Sequence, residues 1–322
     1  MPSVSLRRVV VVIVGFVCSG VLLGFLFYRF PLDATYIDTL RQVRWAGLLA
    51  LLLTTTLHCV ITAWKWQIVT RMGNPDVVFS TRLFTMYSAL IALLGQVMPL
   101  QVAVLAGRSI ALRVHAAEPM RRSAGGAIYD QGFDLLVPAL VMIPGIVYLC
   151  GWASAALALW GVVLALAVGG LLLGVWGEGL IGALLRCITA VAPQRVAVRI
   201  AAIPTVYGSN RSLLRLYLWS VIRCANLVVR AWLVAWTLQL HIDPIAILFG
   251  HCAVTFSVVV NFVPGALGVA EWGWLGILNL AGVSSTDALH YSLSSRLLIV
   301  LSLIALNGLL ALGELVRRRI RS

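Results

Sequence analysis

The chain has 322 residues, of which 61% are hydrophobic and only 11% charged, with a formal net charge of +13. A soluble domain is typically about 25% charged, so this composition excludes an ordinary soluble fold and indicates a membrane-embedded one. The positive charge does not point to nucleic acid. The arginines fall at the ends of apolar runs, where anionic headgroups lie, and no polar stretch is long enough to fold as a separate basic domain.

In chain order, residues 9–28 carry no charge and predict a first membrane span. It is read as retained rather than cleaved, because the run exceeds a signal h-region and no A-x-A-like site follows. Residues 31–44 place Leu32, Tyr36, Leu40 and Val43 at helical spacing, with Asp33, Asp38, Arg41 and Arg44 between them, which predicts an interfacial amphipathic helix. A second span is expected over residues 45–64, and others over 124–150, 154–176, 213–238 and 288–312. Two segments break the pattern. Residues 83–112 and 245–281 are each too long for one span and too short for two with a turn, and each is interrupted by Pro or Gly, at 95–99 and at 264–268. Apolar halves around such a break predict re-entrant hairpins. The expected fold class is therefore all-α, a polytopic transmembrane helical bundle of about six full spans plus two re-entrant broken-helix hairpins. It is expected to form a single integral membrane domain over residues 1–322, with first half 1–150 and second half 151–322.

Alternating these spans puts seventeen basic residues on the side of both termini and three, Arg29, Arg41 and Arg44, on the other. The positive-inside rule then places both termini in the cytoplasm. The two hairpins would enter from opposite faces, one in each half, which is the pattern of an inverted repeat. Gln96-Val97-Met98-Pro99 against Asn261-Phe262-Val263-Pro264 is the best internal match. Inverted repeats with broken helices near the midplane are a transporter signature.

A charge at the bilayer centre costs about 2.5–3.5 kcal/mol on insertion scales, so each one needs a reason. Trp219, Arg223, Asn226 and Arg230 lie within about 60° of one another on a helical wheel and form one polar stripe. Asp130 and Asp134 stand one turn apart, Glu271 follows the second break, and Arg296 lies inside the last span. One role is structural: Asp130 and Asp134 pair with Arg108, Arg223 or Arg230, and Glu271 pairs with Arg296. The other is a hydrated cavity for a lipid headgroup, since the planar arginine fork binds phosphate through two donors. The two roles are compatible. Arg108, Arg223, Asn226, Arg230 and Arg296 are the candidate substrate contacts. Asp130, Asp134 and Glu271 would balance charge or take a proton, and Pro99, Pro264, Gly265 and Gly268 would serve as hinges. The small residues Ala124-Gly125-Gly126-Ala127 predict close helix packing. The five histidines show no metal-ligand spacing and the six cysteines no C-x-x-C pair, so neither metal nor cofactor is expected and the cysteines read as packing residues. No nucleophile motif is present either, so no catalytic residue is assigned.

At the second break the residues run Asn261-Phe262-Val263-Pro264-Gly265-Ala266-Leu267-Gly268-Val269-Ala270-Glu271. This resembles the P-G-G-L-G-x-x-E signature of the lysylphosphatidylglycerol synthase transmembrane-region family, the flippase-like domain proteins. Pro99 followed by Gly107-Arg108 looks like the family's first-half proline and G-[DR]-x-x-R region. Tyr129-Asp130 with Asp134 stands where members often have Glu-Arg and then Asp, and Arg296 matches an arginine of the last span. Ala266 replaces the second glycine of the signature, with Gly265 and Gly268 left to free the turn. The resemblance implies a membrane module of the bacterial inner membrane that moves lipids or lipid-linked intermediates, without the cytosolic aminoacyl-transferase domain of the lysyl-lipid synthases. The expected function is transport of a phospholipid, a polyprenyl-phosphate-linked lipid or a related amphiphile between leaflets. The alternative is a non-catalytic scaffold for a lipid- or glycan-modifying enzyme, which would then be a partner beside the membrane lipids.

Overall fold

The computed structural model describes residues 6–30, 34–73, 80–116, 120–191, 209–260 and 263–321. Asn261 and Phe262 of the repeat comparison, Pro31, Leu32 and Asp33 of the amphipathic segment, and the basic loop residues Arg195 and Arg199 lie outside the described residues. Eleven α-helices and no strand occur among the described residues. They are α1 (Leu6–Arg29), α2 (Ala34–Arg41), α3 (Trp45–Gly73), α4 (Thr81–Leu94), α5 (Leu100–Ala116) and α6 (Met120–Leu149). There follow α7 (Ala155–Val191), α8 (Asn210–Thr237), α9 (Pro244–Val260), α10 (Val269–Leu280) and α11 (Ser285–Arg321), with a 3₁₀ turn, Pro264–Ala266, between α9 and α10.

Five of these, α3, α6, α7, α8 and α11, are long and apolar enough to cross a membrane. The expected spans are all helical, but several helices outrun their apolar cores. α3 has 29 residues and α11 has 37. At 1.5 Å per residue these reach about 43 and 55 Å, well beyond a hydrocarbon core of about 30 Å. Apolarity marks where lipid lies, while the helix continues until a turn stops it. The amphipathic segment forms α2, shorter than the expected stretch.

Both predicted breaks are present. α4 ends at Leu94 and α5 starts at Leu100, just after Pro99. Between them Gly95, Gln96, Val97 and Met98 donate backbone hydrogen bonds to Ile91, Leu93, Leu94 and Leu94 respectively, a tightened last turn. α9 and α10 pack antiparallel. A Cβ on Gly250 would stand 2.8 Å from the Trp274 ring, and one on Gly273 would stand 3.2 Å from Val254. Moving up one helix moves down the other, as in a helical hairpin.

Two compact units share the chain: Met1–His58, Ala89–Ala103 and Asn226–Ser322 form the first, and Cys59–Ser88 with Val104–Ala225 the second. The first has a core that includes Leu51, Val234, Leu238, Ile247, Leu278 and Tyr291, with the Tyr291 hydroxyl donating to the Ala231 carbonyl at 3.0 Å. In the second, Gly169 and Gly170 of α7 make room for Tyr217 of α8, whose hydroxyl donates to the Leu166 carbonyl at 2.7 Å. Cys59, Cys224 and Cys252 are buried as packing residues, whereas Cys18, Cys150 and Cys187 are exposed on the protein surface, contrary to expectation.

Candidate functional site

The second unit holds a buried ionic network built from four helices. α6 contributes Asp130 and Asp134, which share a face because they lie one turn apart. α3 contributes Lys65, α5 contributes Arg108 and α8 contributes Arg223. The Lys65 ammonium lies 2.9 Å from Asp130 and also donates to Asp134 Oδ1. The Arg108 guanidinium lies 2.6 Å from Asp130, and that of Arg223 lies 3.0 Å from Asp134. Arg108 also stacks 5.3 Å from the Trp66 ring centroid, a cation–π contact that adds a second anchor. Each carboxylate thus faces two cations.

The small-residue cluster explains how α6 comes near enough. A Cβ on Gly126 would stand 2.9 Å from Val69 of α3. One turn further along α6 and one turn back along α3, Asp130 meets Lys65, so these helices also run antiparallel. Close approach at Gly126 brings the carboxylate within reach of the ammonium.

Sequence reasoning missed Lys65. The apolar run ends at Trp64, which puts Lys65 among the basic residues on the side of the termini, yet α3 continues nine residues past Trp64 to Gly73 and Lys65 is fully buried. Arg108 is buried too, so neither residue counts among the solvated charges that orient the chain. The available signal was the number of acids: two carboxylates in one span call for cations from neighbouring spans.

The first unit holds a different arrangement, centred on the turn after α9. The backbone is left-handed at Gly265 (φ 58°), Ala266 (φ 50°) and Gly268 (φ 83°). A Cβ on Gly265 would collide with the Gln96 carbonyl of the first break, and one on Gly268 with Leu22 of α1. Glycine is needed at both positions for space as well as for φ. Ala266, where the family signature has glycine, adopts a left-handed conformation without that freedom, so its replacement carries a strain that the sequence alone did not reveal. Glu271 caps α10, its carboxylate accepting from the Gly268 amide at 2.7 Å. Its other oxygen accepts from Arg296 Nε of α11 at 2.5 Å. Arg296 Nη1 donates to the Gly265 carbonyl at 2.9 Å and Nη2 lies 3.5 Å from that of Ala266. Arg296 therefore holds the carboxylate and the carbonyls of the turn with one fork. The expected Glu271–Arg296 pair is present, and its partners include the broken backbone.

The stripe on α8 divides. Arg223 joins the ionic network, while buried Asn226 donates to the Thr54 carbonyl at 3.0 Å and ties α8 to α3 in the first unit. Arg230 is half-buried in that same unit. Pro99 and Pro264 stand at the two helix restarts.

Helices that satisfy their own backbone, five of them long enough to cross a bilayer, define a multi-pass membrane protein. Residues 12–306 match the family described as Lysylphosphatidylglycerol synthase TM region, and the chain belongs to that family. Among curated proteins, none matches the chain.

Proposed function

We propose that the protein is a non-enzymatic, flippase-like lipid transporter that moves a phospholipid, a polyprenyl-phosphate-linked lipid or a related amphiphile between the leaflets of a bacterial inner membrane. Both termini face the cytoplasm, and the segments broken at 95–99 and 264–268 are re-entrant. Family membership supports a lipid-related role, and the family's description names a phospholipid chemistry. The observation that carries the reading is the buried ionic network, in which three cations face two carboxylates. Structural pairing needs as many acids as bases, and an arginine beyond that number suits a phosphate. Glu271, Arg296 and the glycines of the turn serve as the hinge that lets the broken helix move.

The test is reconstitution of the purified full chain into vesicles carrying a headgroup-labelled lipid in the inner leaflet. Transport predicts that the label reaches the outer leaflet faster than in protein-free vesicles, for at least one lipid of a panel spanning anionic, zwitterionic and polyprenyl-phosphate headgroups. A scaffold would leave every lipid at the protein-free rate.

A further inference from the structure

The left-handed turn between α9 and α10 is held by two kinds of neighbour. The first kind is polar. Arg296 reaches the carbonyls of Gly265 and Ala266, and Glu271 accepts from the Gly268 amide. Within the turn, the Ala266 and Leu267 amides donate to Val263 at 3.0 Å and to Pro264 at 3.2 Å. The second kind is apolar: α1 packs against the turn and α10. Its contact face is the stripe Ser19, Leu22, Leu23 and Leu26, with Phe30 just past the helix end, and this stripe carries no charged residue. Leu22 sits over Gly268, the Trp272 indole donates to the Leu22 carbonyl at 3.1 Å, and the Phe25 and Trp272 rings stack 5.6 Å apart. In lipid an apolar seam of this kind is the easiest to open, because acyl chains are as apolar as leucine and no hydrophobic force holds the helices together. The polar groups of the turn named above keep their partners when α1 moves away, so the broken backbone does not forbid such an opening.

We infer that the seam between α1 and the turn is the lateral entrance for the hydrocarbon chains of the transported lipid, opened by α1 moving aside. This deepens the transport reading and rests on it for the source of the ligand. A lipid whose headgroup crosses the membrane keeps its chains in hydrocarbon throughout. Its entrance must therefore be apolar, open sideways to the bilayer and adjoin the broken backbone. The α1 seam meets all three conditions, and Phe25 at its rim is 55% exposed. Other seams of the first unit are tied by polar groups. Asn226 of α8 donates to the Thr54 carbonyl of α3, Tyr291 of α11 to the Ala231 carbonyl of α8, and Arg296 of α11 to Glu271 of α10. Parting α10 from α11 would separate buried charges, whereas parting α1 from α10 gives up the Trp272 bond and exchanges leucine for acyl chain.

Two measurements test the entrance. The first is photolabelling of the wild-type chain in phosphatidylcholine vesicles by a phospholipid carrying a photoreactive group midway along its acyl chain. Insertion is expected at Gly268 and Leu26, which are buried while α1 is in place. Insertion confined to the outward-facing Val17, Val21 and Phe27 would overturn the inference. The second measurement joins α1 to α10 in a Phe25→Cys/Trp272→Cys chain through a short, reducible thiol cross-linker, with the exposed Cys18, Cys150 and Cys187 replaced by serine. Lipid movement is followed in the same preparation before bridging, after it and after reduction. Bridging is expected to slow movement at least ~10-fold and reduction to restore it, because the bridge removes the open state from the equilibrium. An unchanged rate after complete bridging would overturn the entrance and leave transport standing. Insertion at Gly268 in a wild-type chain that moves no lipid would support opening of the seam to lipid chains and overturn transport instead.

Discussion

The two units handle buried charge in opposite ways. In the second, five side chains answer one another, and each carboxylate has two cations. In the first, Glu271 has Arg296, and the pair also holds the amide of Gly268 and the carbonyls of the left-handed turn. The network is redundant and the clamp is not. A redundant network tolerates loss of one member and can devote its excess charge to a ligand. A clamp that satisfies both a charge and a broken backbone has no reserve, because each lost member leaves a buried group unpaired.

The largest effect is expected at the clamp. Arg296→Ala leaves Glu271, which is 3% exposed, without its cation and frees two carbonyls, so destabilisation of about 3–5 kcal/mol is expected. Glu271→Ala should act alike. Folded yield and melting temperature in detergent check both, and near-native melting in either variant would break the contrast with the network. Next is Gly265→Ala. A side chain there meets both the left-handed φ and the Gln96 carbonyl, and a loss of about 1–3 kcal/mol is expected by the same measurement. Gly268→Ala tests whether the obstruction by Leu22 matters as much.

The contrast can also be read in how much of each arrangement was visible beforehand. The breaks were legible because proline and glycine act locally: Pro99 and Pro264 mark the two restarts wherever the surrounding helices go. The Glu271–Arg296 pair was legible because each is the only charged residue of its apolar segment, 245–281 and 288–312. The network was only half legible. Asp130 and Asp134 announced themselves by spacing, and Arg108 and Arg223 were among their expected partners, but hydropathy cannot say which faces meet, so Arg230 stood in that set and Lys65 of α3 did not. Lys65 was hidden because the apolar run ends one residue before it while the helix does not. The α8 stripe looked continuous because angular position on a wheel is blind to which neighbour each residue meets.

Smaller effects sharpen the comparison. Lys65→Met leaves Asp130 with Arg108 and Asp134 with Arg223, so although Lys65 is fully buried its loss should cost no more than about 2 kcal/mol, less than either clamp variant. A loss as large as that of Arg296→Ala would show the network to be no more tolerant than the clamp. Smallest and opposite in sign is Ala266→Gly. It relieves a left-handed alanine but loosens the unfolded chain, and a net gain of up to about 1 kcal/mol is expected as a small rise in melting temperature.

The central claim is that the excess charge of the network serves a ligand, whereas the clamp serves the fold. The most direct measurement is transport of the headgroup-labelled lipid in vesicles containing Lys65→Met, set beside the folded yield of the same variant. The account predicts near-native yield with transport slowed at least ~10-fold, because the four remaining charges neutralise one another and leave nothing for the phosphate. Transport at the wild-type rate by a folded Lys65→Met protein would contradict it.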